Sequence, residues 1–321
     1  MRPRLVFVHG IGGPRQPATE LATWLRALGD GAGLAGHSRH VSDLVGGRSA
    51  DCRFAYYGDL LGLGSAQSGE ASLDEQEALG VRELLLESIA ERSTATAEDD
   101  ELHVLRHARA QLTPEGTPQG LGSVARQVLG AANTLLALPG VRKLGGWAGA
   151  GLMVGQLRQV TRYLGRAEPD ESGTTLDSRI RRRVRQSFDP TGPTIVVAHS
   201  LGTVVAMEAL RSYDGPVPLL VTLGSPMGLR GTVRDRMRPQ PLQVPESVDA
   251  WLNFWDRDDL VAGLPRLEKS VHPSTRSVLP LTRRVDSDGA WVHPAAKYLA
   301  QPGVAGPVLE AVAAHRAAPE R

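Results

Sequence analysis

The hydrophobic pattern of this chain changes period repeatedly, and the changes divide it into strands and helices. Residues 5–8 (Leu5, Val6, Phe7, Val8) are continuously apolar, the pattern of a strand covered on both faces. A glycine-rich stretch, His9-Gly10-Ile11-Gly12-Gly13-Pro14, ends it. Leu21, Trp24, Leu25 and Leu28 then recur at helical spacing. Strands are predicted at 52–57, 194–197, 218–223 and 250–255, and helices at 203–210 and 304–315. Between the second and third strands lies a long excursion, residues 63–187. Its helical segments are predicted near 81–90, 101–112, 121–138, 141–164 and 178–188, with breaks at the polar 93–100 stretch and at Pro139-Gly140. Strands alternating with helices on either side of it predict an α/β fold, a mostly parallel sheet flanked by helices, with 63–187 as a helical insertion before the strand at 194. We read residues 1–321 as one domain on this pattern.

In such a sheet, functional groups gather at the carboxyl ends of strands. His9, Ser200 and the aspartates 256, 258 and 259 all fall there. Ala198-His199-Ser200-Leu201-Gly202 joins an apolar strand to a helix, with tiny residues two positions either side of the serine. This is the layout of a nucleophile elbow. A tight turn holds the serine in a strained conformation and is expected to lift its hydroxyl clear of the sheet edge, while the small flanking residues admit neighbouring backbone. A serine hydroxyl needs a base, a group that orients the base, and donors for the oxyanion.

The His-Gly strand end, the small-x-Ser-x-Gly elbow, a late aspartate and a C-terminal histidine, in that chain order, resemble the α/β-hydrolase superfamily, and within it lipase-like members. The resemblance covers the first strand and roughly residues 190–300, and does not extend to 63–187. Ala198 stands where the family usually has glycine. The resemblance implies an α/β-hydrolase fold with Ser200 as nucleophile. For the acid, Asp259-Leu260-Val261-Ala262-Gly263-Leu264-Pro265 resembles the class 3 lipase arrangement and favours Asp259, whereas an Asp-x-Leu-Val spacing selects Asp258. Chain order leaves His272, His293 and His315 for the base, and His293, before Pro294 and with Tyr298 close behind, resembles the lipase histidine. The family's oxyanion donors map to the backbone N–H groups of Ile11 and Leu201. His9 and His199 read as structural.

The implied activity is a serine esterase, acting on a small-molecule or lipid ester. A thioesterase, amidase or acyltransferase would use the same triad, and a non-catalytic binder on the same fold would need none of it. No metal or organic cofactor is implied. His103 and His107, four apart on a helix, lack a third ligand nearby, and Gly10-Ile11-Gly12-Gly13 lacks the third glycine of a dinucleotide loop.

Composition adds little to this picture. Charges nearly cancel, 36 basic against 35 acidic for a net of +1, which gives no reason to expect nucleic acid. The single cysteine, Cys52, reads as a small buried hydrophobe. The apolar run at the N-terminus is too short for a signal peptide, so a cytoplasmic protein is expected. The uncharged segments 127–141 and 144–157 are shorter than the roughly 20 residues a membrane-spanning helix needs. They read either as a cap over the site or as a buried part of the insertion. The arginine-rich run 179–185 reads as a core helix with a basic outer face, peripheral membrane contact being the less favoured use.

Overall fold

A computed structural model describes residues 2–11, 16–61, 73–96, 98–114, 122–138, 149–262, 266–287 and 292–316. Gly12 to Pro14, the break at 139–140, the glycine-rich run 145–148, Leu264-Pro265 and Trp291 lie outside the described residues.

Six strands form one sheet in which every pair is parallel: β1 (Arg4–Val8), β2 (Asp51–Ala55), β3 (Thr194–His199), β4 (Leu220–Leu223), β5 (Trp251–Asp256) and β6 (Pro280–Val285), in the order β2-β1-β3-β4-β5-β6. β3 lies near the centre because all six of its residues are buried; fully burying each Val or Ile there contributes about 1.5–3 kcal/mol. Its register sets Val8 of β1 beside Ala198 and Leu223 of β4 beside His199.

Alternate residues face opposite layers, as the two-residue period of a strand requires. Leu5 and Phe7 of β1, with Ile195 and Val197 of β3, pack on α1 (Pro17–Leu34) and α10 (Pro302–Ala314). The short α2 (Ser38–Val45) and α9 (Ala295–Leu299) complete that layer. Val6, Val8, Val196 and Ala198 face α7 (Leu176–Arg185) and α8 (Leu201–Leu210). Helix α8 is apolar nearly all round and wholly buried, as a helix covered on both sides must be.

The insertion supplies α3 (Glu75–Ala95), α4 (Asp99–Leu112), α5 (Ser123–Leu135) and α6 (Ala150–Gly165). Helix α3 starts at a capping box, in which Asp74 accepts from Glu77 N–H at 2.7 Å and Glu77 accepts from Asp74 N–H at 3.3 Å. Leu84, Leu85 and Ile89 of α3, Leu105 of α4, Val128 of α5 and Val160 of α6 belong to the same apolar cluster as α8 and the sheet face. The described helices of the insertion therefore share the main core. The pairing of 144–157 with 127–141 as a hairpin falls partly outside the described residues.

One strand was not predicted, and the reading of Cys52 needs correction. β6 carries too little apolar alternation to read as a strand, yet it closes the sheet beside β5. α7 is a core helix with a basic outer side, as expected: Ile180 and Val184 are buried, Arg182 is exposed, and Arg179, Arg181, Arg183 and Arg185 are half-buried. Arg181 and Arg166 turn to Asp177 and Glu208, whose buried carboxylates need counter-charge. Cys52 is half-buried, on edge strand β2, and burial pushes its thiol up to about 12. Among the described residues no helix is long and apolar enough to cross a membrane.

Candidate active site

Strand order reverses at β1. The next strand in the chain, β2, lies on one side of it, and β3 lies on the other. Such a switch point opens a crevice beyond the carboxyl ends of the two central strands. His9-Gly10-Ile11 leaves β1 there, and Ser200 leaves β3.

Ser200 has φ 53° and ψ −130°, a region L-residues avoid, and α8 begins at the next residue. Its N–H donates to Leu223 O at 3.0 Å, and its carbonyl accepts from the Thr203 hydroxyl at 2.7 Å, so both ends of the strained residue are tied down. Small neighbours are required by contact. A Cβ on Gly202 would stand 2.3 Å from His9 O, and one on Gly10 would stand 2.5 Å from Ser200 Cβ. Ala198 fits because it lies within the strand beside Val8.

The hydroxyl of Ser200 donates to His293 Nε2 at 3.1 Å. His293 Nδ1–H in turn donates to both carboxylate oxygens of Asp259, at 2.9 and 2.8 Å. The three side chains that the sequence separates by up to 93 positions thus meet in one relay. Asp259, not Asp258, faces the imidazole. Asp258 pairs with Arg92, and Asp256 closes the turn by accepting from Asp258 N–H at 2.9 Å and Ser287 N–H at 2.7 Å. His272 and His315 are exposed.

Asp259 is held at each oxygen. Oδ1 accepts from Val261 N–H at 3.0 Å, and Oδ2 accepts from the Tyr298 hydroxyl at 2.7 Å. Burial pushes this carboxyl up, but the His293 imidazole and the Tyr298 and Val261 donors outweigh it and hold the group below the usual carboxylate range. The Tyr298 oxygen also accepts from Asp256 N–H at 3.1 Å, so one phenol joins α9 to the loop that carries Asp259. Burial and the adjoining Asp259 carboxylate push its own hydroxyl well up, which keeps it a donor.

His199 and Tyr298 have roles the sequence did not assign. His199 Nε2–H donates to His293 O at 2.6 Å, fixing the backbone at His293. His9 is structural, as expected: its Nε2 accepts from Tyr57 N–H at 3.1 Å and its ring stacks on Tyr57. The signal for Tyr298 was its place five residues after His293, in the first turns behind a proline. His199 offered no signal beyond its position before the serine.

Leu201, the first residue of α8, presents its N–H at a helix start, where no intrahelical acceptor exists. Ile11 is buried at the end of the described β1 loop. Ile11 follows β1 and Leu201 follows β3, two strands paired at Val8 and Ala198.

One expectation about Ser200 fails. It is 0% exposed, and His293 is 6% exposed. The hydroxyl is enclosed, not lifted clear, because the β1 loop lies directly against it at Gly10. His103 and His107 are exposed on α4, as a solvated helix face requires.

Searches against family models, curated proteins and solved structures find no match to this chain.

Proposed function

We propose that this protein is a serine hydrolase of the α/β-hydrolase kind that cleaves carboxylic esters, lipid esters among them, through an acyl-enzyme on Ser200. The observation that carries the reading is the relay itself. Hydroxyl, imidazole and carboxylate stand at 3.1 Å and 2.8 Å, on a strained strand-to-helix turn. A serine needed only for packing has no use for a strained backbone and a carboxylate-backed base. The chain order Ser200, Asp259, His293 is that of the nucleophile-elbow hydrolases.

In this mechanism Ser200 Oγ attacks the acyl carbon while His293 Nε2 takes its proton. Asp259 holds the imidazole tautomer with Nδ1–H toward itself and stabilises the imidazolium as it forms. The N–H groups of Leu201 and Ile11 receive the oxyanion, as the first N–H of a helix favours negative charge. The imidazolium then protonates the leaving alcohol. Water, deprotonated by the same base, attacks the acyl-enzyme and releases the acid.

A fluorophosphonate probe tests the reading. Covalent uptake at Ser200 that disappears in Ser200→Ala supports it, and a wild-type chain that takes up no probe identifies a binder. A panel of esters, thioesters and amides of graded acyl length then fixes the leaving group, with esters expected to turn over fastest. Ser200→Ala is expected to lower turnover by about 10⁴-fold or more.

A further inference from the structure

Helix α3 belongs to the insertion, yet three of its side chains reach the loops that leave β4 and β5. Glu83 pairs with Arg236 at 2.8 Å. Glu87 accepts from Gly231 N–H at 2.9 Å and from Thr232 N–H at 2.8 Å. Arg92 Nη2 donates to Asp258 Oδ1 at 2.9 Å. The last contact reaches the residue next to the relay carboxylate.

Arg92 is 8% exposed, and its Nε–H donates to Glu101 of α4. Glu101 also accepts from the Thr96 hydroxyl at 2.6 Å. One buried guanidinium therefore joins α3, α4 and the acid loop. That loop packs three carboxylates, 256, 258 and 259, into four residues. Arg92 and the more distant Arg257, 3.8 Å from Asp258, offset the crowding of like charge. With its carboxylate on Arg92 and its N–H on Asp256, Asp258 is fixed at both ends, and the following peptide has little freedom to move Asp259.

We propose that Arg92 is a positioning residue for the relay: through Asp258 it holds Asp259 against His293, so the insertion supports the chemistry of the sheet. The inference rests on the hydrolase reading. A displacement of about 1 Å at a reacting constellation costs on the order of 10²-fold in rate, and the other anchors of Asp259 restrain part of any such shift.

The test measures fluorophosphonate labelling of full-length protein as a limiting rate and a half-saturating concentration. Arg92→Met is expected to lower the limiting rate roughly tenfold while the half-saturating concentration changes less than about twofold, since transition-state alignment is lost and ground-state binding is not. Asp258→Asn, which leaves the Arg92–Glu101 pair intact, is expected to match it. The double variant is expected to fall no further than either single variant, as residues acting through one contact are not additive. Arg92→Lys, which keeps a cation beside Glu101, is expected to recover part of the loss. If Arg92→Met does not fold, Asp258→Asn decides the matter: slowed labelling supports the role, and wild-type labelling overturns it. A roughly hundredfold fall in the double variant also overturns it, because the two residues would then act separately. Unchanged labelling of a folded Arg92→Met overturns the inference alone, whereas a wild-type chain that takes up no probe overturns the hydrolase reading and the inference with it.

Discussion

Adjacent aspartates with different duties are the finest distinction in this site. Asp259 faces His293, and Asp258 faces Arg92. Asp259→Asn is expected to lower kcat by about 10⁴-fold, because an amide can stabilise the wrong imidazole tautomer and cannot stabilise the imidazolium. Asp258→Asn is expected to lower it only about tenfold. Steady-state kinetics on the best ester separates the two, and equal losses would remove the distinction. Tyr298→Phe deletes the donor to Asp259 Oδ2 and leaves Asp256 N–H without its acceptor. A loss of about 1–3 kcal/mol is expected on urea unfolding, together with reduced kcat. Ser200, Asp259 and His293 were legible because elbow spacing and chain order limit the choices. Asp258 and Asp259 could not be separated by spacing alone, since adjacent residues leave a strand end in opposite directions and the sequence does not say which direction meets the histidine. His199 was legible only as a neighbour, because its partner is a backbone carbonyl, and a carbonyl leaves no mark in the sequence.

Elements with a strong apolar period were legible, and those held by other means were not. β3 and α8 are continuous apolar runs and needed no tertiary context. β6 and α2 have few buried residues of their own, and their form depends on a neighbour. The partners of the charge on α7 were not legible for a related reason. Arg181 pairs with Asp177, within the same helix, and with Glu208, far away on α8. Glu208 also accepts from Tyr163 at 2.7 Å and from Arg238 N–H at 2.7 Å, so it ties α6, α7 and the segment after β4 to the elbow helix. Removing one partner from a buried ion cluster commonly costs about 3–5 kcal/mol. Glu208→Ala is expected to lose that much in equilibrium urea unfolding, leaving Arg166 and Arg181 short of counter-charge. A loss below about 1 kcal/mol would show that the cluster is not a tie.

Across the whole molecule, several carboxyls ionise more readily in the folded chain than in an unfolded one. Burial pushes Asp177 up, but Thr175 and the Arg181 and Arg166 guanidiniums outweigh it and hold it low. Glu87 is likewise lowered against burial by Thr232 and the N–H groups it caps, and Asp259 by the contacts of the relay. Folded values below unfolded ones stabilise fully above the unfolded range, and that stability is lost as pH falls through the folded values. Burial raises Asp256 and Glu91, which pull the other way. The lowered groups are the more numerous, so the urea midpoint is expected to fall steadily as pH is taken from 6 toward 3. A flat midpoint over that span would contradict these assignments. The α/β class and the position of the site were legible at this scale, since alternating strands and helices with chemistry at strand ends admit few other layouts. The way the insertion meets the site was not legible, because it depends on single polar contacts such as Arg92 with Asp258.

The sheet places Val8 beside Ala198, although the insertion separates the two in the chain. Joining such distant segments is entropically slow, and topologies rich in such pairings fold slowly. The strained turn at Ser200 is held by a β4 carbonyl and crowded by the β1 loop, so its support depends on segments distant in the chain. On the hydrolase reading, a half-assembled chain is expected to take up no fluorophosphonate, so probe uptake during refolding should trail the return of helix and strand.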